Sequence, residues 1–316
     1  MSSLNGTVDA VTQSTMRFPE RTRTIKGHGG VGLAVQERGA DPGAAPTVLL
    51  VHGYPDDHAV WDLVVDRLAE GHHVVTYDVR GSGLSGAPAT RNGYRMEALV
   101  ADLVTVTRSV SPDRAVHLVA HDWGSIQSWA ALTEPDQAVT FASFVSMSGP
   151  GLDHASAWMR ARRRPGIVNL RQLGSQAMRS WYVGAFQTPL GPMAWRHGLA
   201  RLWPALLERR ERVQVDDRWP SPNLAADAER GVELYRANLR GGPRRARVTP
   251  TDVPVLLVVP TDDAFVTPAL LDGIEAFATD LTRRDVPGGH WLPRSDPDLV
   301  AHLVADHVAV AEARTR

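Results

Sequence analysis

Between residues 47 and 147 short apolar runs alternate with segments of helical spacing. Thr47–Val51, Val74–Tyr77, Ala115–Ala120 and Phe141–Met147 read as strands, and Trp61–Ala69, Met96–Val110 and Ser125–Leu132 as helices. Two further β-rich runs, Arg21–Lys26 and Gly32–Glu37, flank a Gly-rich turn near the start. Short, mostly apolar strands separated by helices predict a parallel sheet covered on both faces. The rhythm breaks at Gly151. From there to Val248 the pattern is helical, rich in Trp and Arg, and punctuated by Pro and Gly. It resumes with a strand at Val253–Val259, a helix at Leu271–Thr279, a strand at Leu281–Val286 and a helix at Leu299–Ala311. The pattern describes one α/β domain, residues 1–150 and 250–316, interrupted by a helical insertion over 151–249. An insertion of that size at a strand end is expected to be a functional lid. The first 20 or so residues lack periodicity and read as a loose lead-in.

Composition narrows the function classes. A chain of 316 residues with 43% hydrophobic residues and a formal charge of −1 can bury a sizeable core and is not a disordered chain. So even a balance gives no reason to expect nucleic acid or an anionic membrane as main partner. The absence of cysteine excludes disulfides, thiolate metal sites and cysteine nucleophiles. Apolar runs such as Val255–Val259 are too short to span a bilayer, and Met1–Glu20 shows no secretory signal, which makes the cytoplasm the default compartment. Lys26 is the only lysine, a bias that a GC-rich coding genome explains. The clusters Arg160–Arg164 and Arg209–Arg212 read as solvated helix faces.

The chemistry concentrates at Ala120-His121-Asp122-Trp123-Gly124, which follows a strand and opens a helix. Small residues at 120 and 124 around a central residue suit a nucleophile elbow, where strand and helix crowd a strained position. The central residue is Asp122, which could also serve simply as a helix cap. Further along stand Asp263, with Asp262 as a close alternative, and His290 in the Gly-rich loop Gly288-Gly289-His290-Trp291. Nucleophile, acid and histidine in this order match the α/β-hydrolase architecture. In that architecture the loop His52-Gly53-Tyr54-Pro55-Asp56 supplies one backbone N–H of an oxyanion hole, from Tyr54, and the residue after the nucleophile, Trp123, supplies the other. An X-Pro bond here suggests a tight, cis turn. His52 itself reads as structural. So does the loop Asp78–Ser85, whose glycines resemble a phosphate loop but lack its lysine.

Taken together, His-Gly-Tyr-Pro-Asp at 52–56, Asp-Val-Arg-Gly-Ser-Gly-Leu-Ser at 78–85, His-Asp-Trp-Gly at 121–124, Asp263 and Gly-His-Trp at 289–291 resemble the epoxide hydrolases of the α/β-hydrolase superfamily. The likeness runs over nearly the whole chain after residue 20 or so. It is greatest to the hydrolase half of a group that is fused in some relatives to a short-chain dehydrogenase, a second half for which the 316 residues are expected to leave no room. The resemblance implies two cap tyrosines that hold the epoxide oxygen. One precedes Phe186-Gln187-Thr188-Pro189 by four residues and is Tyr182. The other lies in Tyr235-Arg236-Ala237-Asn238 and is Tyr235. Departures from the family pattern are Ala120 where Gly is frequent, Ser125 for a second Gly, and Val259-Pro260 before the acid.

The activity so implied opens an epoxide to a vicinal diol. Asp122 attacks carbon, Tyr182 and Tyr235 receive the alkoxide, and water activated by His290, itself oriented by Asp263, hydrolyses the alkyl ester. Neither a metal nor an organic cofactor is expected, and no metal-ligand spacing is visible. The expected partners are a largely apolar epoxide and water, with no nucleic acid, no membrane span and room for a homodimer. Rival readings are a haloalkane dehalogenase, an epoxide-opening cyclase and a non-catalytic ligand-binding homologue.

Overall fold

The computed structural model describes residues 18–133, 141–240 and 246–315, so nearly all of the expected lead-in lies outside the described residues. Among the described residues, eight strands form a single sheet: β1 (Arg21–Lys26), β2 (Gly32–Gly39), β3 (Thr47–Val51), β4 (His73–Tyr77), β5 (Val116–His121), β6 (Phe141–Met147), β7 (Val255–Pro260) and β8 (Leu281–Val286). Their spatial order is β1-β2-β4-β3-β5-β6-β7-β8. The pairs β1–β2 and β2–β4 are antiparallel, and every pair from β4 to β8 is parallel.

Alternation within each strand builds two cores. Leu49, Val51, Leu118, Ala120, Leu257 and Val259 face one layer, made by α2 (Met96–Val110) and α3 (Trp123–Thr133). Val48, Leu50, Val119, Val145, Leu256 and Val258 face the other, made by α1 (Asp62–Leu68), α10 (Leu292–Ser295) and α11 (Pro297–Thr315). Burial on both faces is why these strands read as continuous apolar runs.

Among the described residues, six helices lie between β6 and β7: α4 (Leu152–Arg162), α5 (Ile167–Arg179), α6 (Trp181–Phe186), α7 (Leu190–Ala194), α8 (Ala200–Glu211) and α9 (Leu224–Asn238), with a π-type turn at Trp195–Leu199. Phe186, Trp195, Leu224, Val232 and Tyr235 from this stretch join the first core.

One expected element is wrong. Leu271–Thr279 is not a helix but two short 3-10 turns, Pro268–Leu271 and Ile274–Phe277. Gly273 between them takes the left-handed conformation, φ 86, which breaks the helical path. Strand β7 starts at Val255 rather than 253, because Pro254 has no N–H to give the ladder.

Candidate active site

Asp122 occupies the turn between β5 and α3 with φ 51, a left-handed conformation uncommon for any residue but glycine. Neighbouring glycines admit the turn. A Cβ on Gly124 would stand 2.3 Å from the Val51 carbonyl oxygen, one on Gly149 2.1 Å from that of Asp122, and one on Gly53 2.4 Å from the Asp122 Cβ. The backbone N–H of Tyr54 donates to Asp122 Oδ1 at 2.8 Å, and that of Trp123 also reaches the carboxylate. The Tyr54–Pro55 bond is cis. Burial raises the Asp122 pKa, against the pull of His290 and of the two backbone N–H groups.

The loop after β8 carries His290. Its Nδ1 bonds Asp263 Oδ2 at 2.9 Å, and its Nε2 stands 3.7 Å from Asp122 Oδ2. Asp263 Oδ1 accepts the backbone N–H groups of Phe265 and Val266 at 2.7 and 2.9 Å, so the carboxylate has a single orientation. Asp262, the alternative in the sequence, is exposed. Burial of Asp263 opposes its ionisation, but His290 and the two amides outweigh it and lower its pKa. Burial disfavours the His290 imidazolium too. Asp263, then Asp122 and Glu211, overcome this and push its pKa up to about 9.

Tyr182 on α6 and Tyr235 on α9 come together, their rings 5.8 Å apart and edge-on. Tyr235 also packs edge-on against Tyr54 and Trp123, at 5.2 and 5.0 Å, and Tyr182 against Phe265 at 5.7 Å. Burial raises the pKa of both, and the Asp122 charge adds to this. The two tyrosine segments are cross-linked: Arg236 Nε donates to the Phe186 carbonyl at 2.7 Å and Gln187 Nε2 to that of Tyr235 at 3.4 Å.

Other residues quoted from the sequence have structural places. His52 accepts the Val79 N–H at 2.9 Å and contacts the Gly53 carbonyl at 2.8 Å. Gly81 and Gly83 both have positive φ, and a Cβ on Gly83 would clash with Asp78 at 2.4 Å. In the same loop Leu84 donates to Asp78 Oδ2 and Gly83 to Asp227 Oδ2. The glycines of residues 78–85 thus close a turn whose amides already have partners.

Three residues that sequence reading left without a role support the site. His121 Nε2 donates to the His290 carbonyl at 2.8 Å, and the two rings lie 4.7 Å apart. Burial beside the His290 charge drives its pKa down to about 3, so it stays neutral. Asp56 accepts the indole N–H groups of Trp219 and Trp291 at 2.8 and 2.9 Å. Burial pushes its pKa up to about 7, against those two bonds. Glu211, at the end of α8, accepts the Trp291 N–H at 3.4 Å. Its neighbourhood also explains Gly289, where a Cβ would lie 2.2 Å from Glu211 Oε2. Contacts of this kind, between elements about 80 to 235 residues apart in sequence, have no local signature. Among the described residues, Asp57, His58 and Asp78 form a group of possible metal ligands within 4.8 Å of one another. His58 Nδ1 and Asp78 Oδ1 already bond each other at 2.7 Å.

Comparison with known proteins places this geometry. A family model described as alpha/beta hydrolase fold matches residues 46–297, and the chain belongs to that family. Several relatives and structural neighbours are named epoxide hydrolases. An epoxide hydrolase of Caballeronia sordidicola is 31% identical over 248 residues, 72% of each chain. A Mycobacterium tuberculosis protein named probable oxidoreductase EphD is 37% identical over 307 residues, 93% of this chain and 50% of that one. The chain thus spans about half the length of that relative. The Bacillus megaterium epoxide hydrolase in complex with an inhibitor has the same fold, with a TM-score of 0.73 at 21% identity over 91% of this chain and 100% of that one.

Proposed function

We propose that this protein hydrolyses epoxides to vicinal diols through a covalent ester on Asp122. The observation that carries the reading is the position of the Asp122 carboxylate. One oxygen is gripped by the Tyr54 N–H, the other faces His290, and the charge of the group is felt by the tyrosine pair of the helical insertion, which we read as a cap.

In the first step Asp122 Oδ2 attacks an epoxide carbon and the C–O bond breaks. The oxygen leaves as an alkoxide still attached to the substrate. Tyr182 and Tyr235 donate to it, help of a kind worth ~10²–10⁴-fold in rate. Esterification cancels the Asp122 charge, one of those that hold a proton on His290. The imidazolium therefore becomes more acidic as the ester forms, and its proton balances the new hydroxyl.

In the second step neutral His290 takes a proton from water, and hydroxide attacks the ester carbonyl of Asp122. The N–H groups of Tyr54 and Trp123 stabilise the resulting oxyanion. Collapse releases the diol and restores the Asp122 carboxylate and the His290 imidazolium. Dehalogenation is the weaker reading, because the Trp123 indole that would hold a halide is engaged with Tyr235.

A single turnover in ¹⁸O-water tests the covalent step. The added diol oxygen should come from Asp122 and remain unlabelled in that turnover. Label in the first-turnover diol would mean direct attack by water.

A further inference from the structure

Helix α5 is built inside out. Its buried residue is the polar Gln176, whose side-chain nitrogen donates to the Phe265 carbonyl at 2.7 Å and whose oxygen accepts the Thr267 N–H at 3.0 Å. Ile167, Leu170 and Met178 are 62, 67 and 73% exposed. At the helical period these three fall on one stripe, opposite Gln176. The apolar surface continues beyond the helix with Trp181, 71% exposed. The next residue is Tyr182, part of the candidate site. Leu190, Met193 and Leu202 extend the exposed apolar set along α7 and α8, and helices α4 to α8 pack against one another in chain order through the π-type turn.

Charge is segregated in the same way. Residues 151–212 hold eleven arginines against Asp153, Glu208 and Glu211, a net +8. The whole chain carries −1, so the remainder carries −9. The near-neutral total hides a basic segment, bearing the exposed apolar set, on an otherwise acidic protein. Arg163, Arg164, Arg171, Arg209 and Arg210 are all exposed.

We propose that the outer face of α5–α8 binds the surface of an anionic bilayer. Exposed aliphatic groups and an indole suit the boundary between headgroups and acyl chains, while guanidinium groups pair with lipid phosphates. A second copy fits poorly. A two-fold dimer through this face would set one +8 segment against another. Bound in this way, the face holds α6, and with it the wall of the candidate site, against the layer in which apolar epoxides dissolve.

Co-sedimentation of the full chain with vesicles tests the proposal without any turnover, so it stands or falls separately from the epoxide reading. Vesicles of phosphatidylcholine alone are compared with an equimolar mixture of phosphatidylcholine and phosphatidylglycerol. The expected result is binding to the mixed vesicles about tenfold or more tighter than to phosphatidylcholine, weakening with added salt. Two sets of substitutions, Ile167→Ser with Leu170→Ser and Met178→Ser, and Arg163→Glu with Arg164→Glu, should each lose about tenfold or more, with circular dichroism melts unchanged. Equal binding to both vesicles, no binding, or binding untouched by both sets overturns the proposal. So does light scattering that shows a wild-type dimer dissolved by the apolar set, since the stripe would then belong to a second copy.

Discussion

Asp122 Oδ2 stands 3.7 Å from His290 Nε2, within ion-pair range and beyond a hydrogen bond. The other imidazole nitrogen is bonded to Asp263 at 2.9 Å. The ring is therefore locked on the side of Asp263 and only electrostatically held on the side of Asp122. Such a histidine can turn from counter-ion to base once Asp122 is neutralised.

This asymmetry separates the roles of the two residues. His290→Gln should open an epoxide and then stall, and intact-protein mass spectrometry should show a gain of one substrate mass, located on Asp122 by peptide digest. Asp122→Ala should show no gain. A folded His290→Gln protein without adduct would mean that His290 acts before the ester exists.

The acid is tested by a pair of substitutions. Asp263→Asn removes the charge facing Nδ1 and should slow ester hydrolysis by up to ~10⁴-fold, as the wrong tautomer does in serine triads. Asp262→Asn, at an exposed site, should leave turnover within about twofold of wild type, because surface substitutions away from partners change little. Stopped-flow measurement of adduct decay compares the two.

For the tyrosine pair, Tyr182→Phe and Tyr235→Phe together should slow alkylation by ~10²–10⁴-fold, the usual worth of acid assistance, with the melting temperature held near wild type. Unchanged single-turnover rates would remove both tyrosines from the mechanism.

Stability should depend on pH through His290. Its folded pKa of about 9 lies above the ordinary 6.5. The imidazolium therefore stabilises the fold fully below pH 6.5, and that contribution fades as pH rises through 9. His290→Gln lacks the group, so the wild-type advantage in melting temperature should shrink between pH 6.5 and 9. An advantage constant over that range would refute the ion pair.

Space around the elbow gives a last contrast. Gly53→Ala puts a Cβ 2.4 Å from the Asp122 Cβ and should cost ~1–3 kcal/mol by overpacking, with loss of the Tyr54 contact and of activity. Gly174→Ala on α5 meets nothing within 4 Å and should raise stability by up to ~1 kcal/mol through helix propensity. Urea titration of both variants measures the difference.

The sequence alone determined the parallel core, because strands such as Val48–Val51 and Val255–Val259 are buried on both faces and their apolar runs record it. It also determined the elbow, the Tyr54 loop and the order of Asp122, Asp263 and His290, since tight turns demand particular residues at fixed local spacing. The helix expected over 271–279 failed because one glycine at positive φ outweighs apolar spacing. Only the tertiary structure places Asp263, and not Asp262, against His290: neighbours in sequence, they point to opposite environments at a turn, one to solvent and one to His290. It alone brought His121 beneath His290, joined Trp219 and Trp291 on Asp56, and turned the apolar stripe of α5 outward. Those facts depend on which surfaces meet across the fold, and contacts between segments far apart in sequence leave no period or spacing in the chain.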